Sequence, residues 1–462
     1  MFLTLLRKEI LGHILSLRFG VTFALFLVLV FASMYVAVNK HRNDVDSYAD
    51  RVRANEEALE QVLAEDRSWD RYRRLFYDEG KNDAVRGSPY AWLGEGLQGA
   101  LPATVNTKGY GRTENFEAAL VRSPLLELLR TLDFVYVVNV MLSLLAILFM
   151  FDAVCGEKED GTLRLMLSNA VPRHDVLLGK WIGGYLVLQL PFLVAVGGGL
   201  LYAYTQGVFQ PDRESLLRVG LLMGVAALYI AAFFNLSLFV SATTQRASTS
   251  LLVCLFLWVV FVLVVPNLAP VTAKILEPTP TPQSIQAEKE AVDNEIELKK
   301  DRVTQISGDL QYGEAVEEEM EELDREGAQR KRKWDQYYLQ RRAKQTDLAA
   351  TLGRLTPSAC WVYAATSITN TGLESYEAFE KARRQLAEAF DQKREEIGRL
   401  MRRSRGSEWP DVTAQNLPSF HMRYPTLQGS LQHALNDILI LVIVNVLFFM
   451  LAFVFFLRYD VR

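Results

Sequence analysis

Uncharged apolar runs long enough to cross a membrane alternate along this chain with stretches dense in charge. Phe19–Val38 holds twenty residues without a formal charge. At ~1.5 Å per residue, such a helix spans a hydrocarbon core of about 30 Å. Phe134–Val154, Trp181–Tyr204, Val219–Val240, Ser250–Leu268 and Ile438–Leu457 repeat the pattern, with Asp152 the only formal charge among them. A backbone in lipid must satisfy its polar groups internally, and a helix does so. The pattern therefore predicts six transmembrane helices. Ahead of the first, Phe2, Leu5, Leu6, Ile10, Ile14 and Leu17 recur at helical spacing among Arg7, Lys8, Glu9 and His13. That spacing predicts an amphipathic helix in the interface plane rather than a cleavable signal.

The polar stretches fall into two long insertions. The chain divides into 1–38 (interfacial helix and first span), 39–130 (first insertion), 131–269 (spans two to five, with a loop at 152–180), 270–434 (second insertion) and 435–462 (last span and C-terminus). In the second insertion Ile285, Val292 and Ile306 share one heptad position, and Ile296, Val303 and Leu310 share its partner. This predicts a coiled-coil seam. A continuous helix from Gln283 to Ala350 would reach ~100 Å. A break among Ser307-Gly308-Asp309, Gly313 and Gly327 is expected to fold it into a hairpin. Lys40–Phe76 and Glu374–Arg405 read as further charged helices, and Pro278-Thr279-Pro280-Thr281-Pro282 as an extended, stiff spacer. Both insertions are anchored in one bundle, so they should meet as one composite domain. The fold class is an all-α membrane protein of six spans with a helical extracytoplasmic domain.

Composition adds little, because 50% hydrophobic and 23% charged residues average over this segregation. Charge sets the orientation. Arg7, Lys8 and Arg18, then Lys158, Arg164, Arg173 and Lys180, then Arg246, and finally Arg458 and Arg462 fall on one side of a six-span path. The positive-inside rule makes that side, and both termini, cytoplasmic. Arg213 and Arg218, beside Asp212 and Glu214, give a weak opposing signal.

Catalytic chemistry is missing from the sequence. There is no GxxxxGK[ST] phosphate loop, no HExxH and no CxxC. The five histidines are scattered, so no metal site is expected, and nothing suggests a nucleic-acid partner. Cys155, Cys254 and Cys360 lie in different compartments of the predicted topology, which argues against an intrachain disulfide. Among the polar residues within spans, Asn139, Asn235 and Asn445 admit two readings: a translocation path, or hydrogen bonds between helices, the second weighing more.

The loop from Phe151 to Lys180, FDAVCGEKEDGTLRLMLSNAVPRHDVLLGK, carries the most specific signal. Gly156 should break the helix leaving span two. Thr162 should cap a short helix bearing Leu163, Leu165, Met166 and Leu167, and Pro172 should end it. With Glu157, Lys158, Glu159, Gly161, Thr162, Leu163, Arg164, Leu167, Pro172, Arg173, Gly179 and Lys180, the loop resembles the first cytoplasmic loop of ABC-2 type exporter permeases. Ser123-Pro124-Leu125-Leu126, Leu132-Asp133-Phe134, the run Leu142–Phe149 and Leu355-Thr356-Pro357-Ser358 resemble the branch with large outer insertions. That branch is related to permeases of copper-enzyme maturation. The resemblance implies a multi-pass permease of a bacterial or archaeal cytoplasmic membrane, paired with a second permease, the same or related. Separate ATPase subunits, holding the ATP and Mg, would dock at the loop, and a bulky or membrane-derived substrate would be exported. A second reading has the ATPase stroke drive a periplasmic partner through the coiled coil with nothing transported.

Overall fold

The computed structural model describes residues 2–64, 69–109, 113–114, 133–168, 172–307, 314–403 and 412–458. Among these residues six helices are long and apolar enough to cross a membrane, and helix dominates. Helix α1 (Phe2–Ile14) leads into α2 (Leu17–Ala64), whose apolar first half is span one. The sequence reading separated that span from a charged helix beginning at Lys40. The structure joins them, because no Gly or Pro interrupts Val21–Ala64. Helix α3 (Trp69–Arg73) and a three-stranded antiparallel sheet follow, with β1 (Lys81–Ala84) pairing β2 (Thr104–Thr107), and β2 pairing β3 (Thr113–Glu114). Asn82 lies opposite Asn106. Strands of two to four residues are too short for alternation to announce them.

Span two is α4 (134–150), with a π turn at Val138–Leu142. It stops at Met150 rather than at Gly156, which instead lies within α5 (Cys155–Glu159). Ser241 supplies the reason: its hydroxyl accepts the amide hydrogens of Val154 and Cys155 at 3.0 and 3.1 Å, turning the chain off the helix axis. Helix α6 (Thr162–Ser168) precedes spans three, four and five: α7 (Arg173–Thr205), α8 (Arg213–Thr243) and α9 (Ala247–Leu276). The second insertion supplies α10 (Pro282–Ser307), α11 (Glu314–Gly353), α12 (Pro357–Ile368) and α13 (Leu373–Arg403), before span six, α14 (Leu427–Leu457).

Helices α10 and α11 form an antiparallel hairpin; the candidate break residues Gly308, Asp309 and Gly313 lie outside the described residues. Cross-pairs run in opposite index order: Lys289–Asp335, Asp293–Lys331, Glu295–Arg330, Lys299–Glu326 and Lys300–Asp324, at 2.5 to 3.1 Å. Ile285, Val292 and Ile296 of the predicted seam are buried. Leu310 and the side chain of Ile306 lie outside the described residues. Gly327, one of the candidate breaks, sits inside α11.

The two insertions meet. Val62, Tyr72, Leu75 and Phe76 from the first share a core with Phe390, Ile397 and Leu417 from the second. The Lys81 ammonium donates to the Pro418 carbonyl and the Ser419 hydroxyl. Arg218, the opposing charge in the orientation count, is an internal strut. Its guanidinium reaches Glu214, the Ile368 and Pro425 carbonyls and Ser430, and lies 4.7 Å from the Tyr90 ring centroid.

Within the bundle α12 is the unexpected element. All twelve of its residues are buried, and it packs against α14 and α8 and against spans two and five. Trp361 donates to the Val135 carbonyl at 3.0 Å and stacks on Tyr229. Thr356 caps it and Pro357 occupies its first turn. With no charged side chain, this helix is at home in an apolar surrounding although it belongs to an insertion.

Candidate coupling site

On the face opposite the hairpin, α5 is held to three different elements, and through one of them to a fourth. Lys158 donates to the Ala242 and Thr244 carbonyls at 2.5 and 3.0 Å, where α8 ends. A cation is favoured there by the last unpaired carbonyls of a helix. Glu159 accepts the Ala247 amide hydrogen at 3.0 Å, where α9 begins, the matching use of an anion at a helix N-terminus. Glu157 accepts from Lys180 of α7 at 2.6 Å. The same ammonium, 4% exposed, lies 3.4 Å from Glu9 of α1. Three consecutive residues thus join the ends of spans three, four and five to one another and to the interfacial helix.

Helix α1 lies against α7 along a small-residue stripe. A Cβ added at Gly179 would meet Leu5 at 3.0 Å, and one at Gly183 would meet the Cβ of Glu9 at 3.1 Å. Only glycine lets the two backbones approach this closely. His13 stacks on Phe149 at 5.4 Å between ring centroids, tying α1 to span two as well.

Past α5 the chain reverses at Gly161, whose φ of +73° is the left-handed conformation that favours glycine after a helix. Thr162 opens α6 and its hydroxyl donates back to the Glu157 carbonyl at 3.4 Å. Leu163 is fully buried in the main core, whereas Arg164 is exposed and Leu165 is 70% exposed. The Leu167 side chain and residues 169–171 lie outside the described residues. Pro172 stands just before α7, and Arg173 donates to the Leu457 carbonyl at the end of α14 at 2.6 Å. The loop therefore divides by role. Glu157, Lys158, Leu163, Arg173 and Lys180 are buried or half-buried and fasten it, Glu159 fastens it from an exposed position, and Asp160, Thr162, Arg164 and Leu165 are exposed. Ser241 and Glu9 were not legible from the sequence, since nothing local distinguishes one serine or one interfacial glutamate from another.

The three intramembrane asparagines fall in two places. Asn139 accepts from Tyr229 at 2.9 Å and from Ser358 of α12 at 2.8 Å. Asn235 donates to Asn445 at 2.8 Å and accepts from Trp181, and Asn445 donates to the Leu228 and Leu441 carbonyls. All three are buried with partners on neighbouring helices. Cys155, Cys254 and Cys360 are buried and unbridged. Among the described residues, no three His, Cys, Asp or Glu side chains cluster as a metal would require.

Comparison with known proteins agrees with this architecture. The family described as "ABC-2 family transporter protein" matches residues 3–461. A probable ABC transporter permease protein NosY of Pseudomonas aeruginosa is 32% identical over 126 residues, which is 27% of this chain and 45% of that protein. The NosY of Stutzerimonas stutzeri is 42% identical over 57 residues, 12% of this chain and 21% of that protein. The chain thus spans under half the length of these relatives. With a match over nearly its whole length and six spans in place, this chain is a multi-pass membrane permease belonging to the ABC-2 transporter family.

Proposed function

We propose that this permease converts the stroke of a separate ATPase into movement of its membrane helices, and that the ATPase docks on the outward face of the 157–167 loop. These 462 residues hold no GxxxxGK[ST] phosphate loop, which is why hydrolysis is assigned to a separate subunit. The single observation that carries the reading is the clamp at α5, which ties three spans and the interfacial helix to three adjacent residues. A push on such a loop moves the inner ends of those helices together instead of bending a slack connection. Leu165, Arg164, Thr162 and Asp160 offer a partner one apolar knob ringed by polar groups. The loop face is then cytoplasmic, the hairpin face is extracytoplasmic, and a second permease completes the unit. A bulky or membrane-derived substrate suits the tall outer domain.

A second reading, in which the stroke acts on a periplasmic partner and nothing is exported, is favoured by one feature. Helix α12 fills the space between the outer parts of spans two, four, five and six, and Asn139 is occupied by Tyr229 and Ser358. The two readings part on reconstitution. Membranes holding the permease with its co-isolating ATPase should hydrolyse ATP, and the double variant Arg164→Glu/Leu165→Asp should lose that ATPase while still inserting. Retention of ATPase by this variant would contradict the docking face. Lipid or polysaccharide moved across the vesicle favours export; turnover with no movement favours the second reading.

A further inference from the structure

The turn joining α11 to α12 is packed against the bundle, with Gly353 and Thr356 buried and Leu355 exposed, and an ion pair ties it there. Arg354 donates through Nε to Asp437 Oδ1 at 2.7 Å and through Nη2 to Oδ2 at 3.3 Å, a two-point contact that fixes direction as well as distance. The Asp437 side chain is 1% exposed and belongs to α14, seven residues beyond Ser430, or ~10 Å deeper along the helix. The guanidinium also lies 5.6 Å from the Tyr363 ring centroid, and the Arg354 carbonyl accepts from Cys360. Beyond the turn, α12 is fastened to span two through Ser358 and Trp361, and to α8 through the Ile368 carbonyl on Arg218.

Before the turn, α11 is one helix of 40 residues, ~60 Å long. It first packs on α10 and then runs beside the outer end of α9, where Arg341 and Gln345 reach Glu277. The base of this rod is therefore gripped on two sides. Span five holds its flank, and span six holds its end through Arg354.

We propose that Arg354 and Asp437 are a positioning pair through which span six sets the direction of the α10–α11 hairpin. A shift of α14 against α9 then tilts the rod about its flank contact. A tilt of about 5° about that contact displaces the far end, ~40 Å away, by about 3.5 Å, so a shift at the base, ~20 Å from the contact, is about doubled at the hairpin tip. Asp437 can be no solvated surface partner, since a buried carboxylate without its cation is costly. The use of this lever, though not its geometry, rests on the permease being driven by a separate ATPase.

The test needs no ATPase, so its failure and that of the docking site are distinguishable. All three native cysteines are buried, so cysteines introduced at exposed Gln329 on α11 and Gln432 on α14 take spin labels selectively. The full chain in lipid nanodiscs should give one narrow Gln329–Gln432 distance. Arg354→Gln and Asp437→Asn should each broaden it or shift its mean by about 2 Å or more, since Gln329 lies ~18 Å along the helix from the flank contact. Arg354→Lys, which keeps the charge but not the two-point contact, should broaden it less. The swapped double variant Arg354→Asp/Asp437→Arg should bring it back towards the original. A label pair within the hairpin, Gln329 with Glu297, should stay narrow in every variant, separating a swung hairpin from a melted one. Single variants with an unchanged Gln329–Gln432 distance, a swap that fails to restore it, or equal broadening inside the hairpin would each overturn the proposal.

Discussion

Replacing Lys180 with methionine should open the loop between spans two and three without unfolding the bundle. The ammonium is 4% exposed and sits between Glu157 at 2.6 Å and Glu9 at 3.4 Å. Methionine keeps most of the volume but leaves two carboxylates facing each other around an apolar tip. Removing one partner of a buried pair costs about 3–5 kcal/mol. Glu157 and Glu9 retain 20% and 12% side-chain exposure, so the lower end, about 3 kcal/mol, is the better figure. Because about 1.4 kcal/mol is a factor of ten, local opening of α5 should become about a hundredfold more frequent. Hydrogen exchange reads this directly, since amides exchange through local opening. The Val154 and Cys155 amides, bonded to Ser241, should lose about two orders of magnitude of protection, while amides of α12 should not change. Adding Glu157→Gln removes one stranded charge and should recover most of the loss. Unchanged protection in the Lys180→Met variant would refute the clamp.

Four further outcomes follow from the same contacts. Gly183→Leu should lift α1 off α7, because its Cβ alone would meet Glu9 at 3.1 Å; limited proteolysis near residues 14–17 should accelerate, and unchanged cleavage would mean α1 is not seated there. Asn235→Ala and Asn445→Ala should each cost about 0.6–2 kcal/mol in a reversible detergent-unfolding titration; the double variant should cost less than their sum, since they share one bond. Arg218→Met should leave the Ile368 and Pro425 carbonyls without their donor and cost about 1–3 kcal/mol, with little from Glu214, whose side chain is 47% exposed; the same titration reads it, and a cost near zero would make Arg218 an ordinary surface charge. Arg330 and Lys299 hold the Glu295 carboxyl down to about 2. A lowered folded value means a contribution present above the ordinary glutamate range and lost as pH falls through the folded one, so helicity of the hairpin should persist at pH 3.5 at low salt and weaken in high salt.

The spans were legible because a run of twenty uncharged apolar residues has one stable answer in lipid. The seam was legible in Ile285 and Val292 on one heptad position and Ile296 on its partner, all three buried. Helix α12 was hidden for a physical reason. Its twelve residues are too few to cross a membrane, and its fastening depends on Asn139, Val135, Tyr229 and Asp437, far away in sequence. Thr356-Pro357 did mark its start, and the absence of charge from Pro357 to Ile368 was visible, but neither says what surrounds it. The loop at 157–167 was legible as a motif without its directions. Glu157 and Glu159 belong to the loop at which the resemblance would dock an ATPase, and their intramolecular partners, Lys180 and the Ala247 amide, were not visible in the motif. Neither was the exposure of Arg164 and Leu165 beside them. Which side of a short helix is covered depends on where α7, α8 and α9 arrive, and local sequence does not carry that.

The most direct measurement is a photo-crosslinking residue at position 165, in cells expressing the full chain. The account predicts that Leu165 is captured by an ATP-hydrolysing protein from the cytoplasmic side, and that a cysteine at the same position stays unlabelled by a membrane-impermeant reagent added outside. Labelling from outside, or capture of lipid alone in cells carrying out ATP-dependent export, would contradict it.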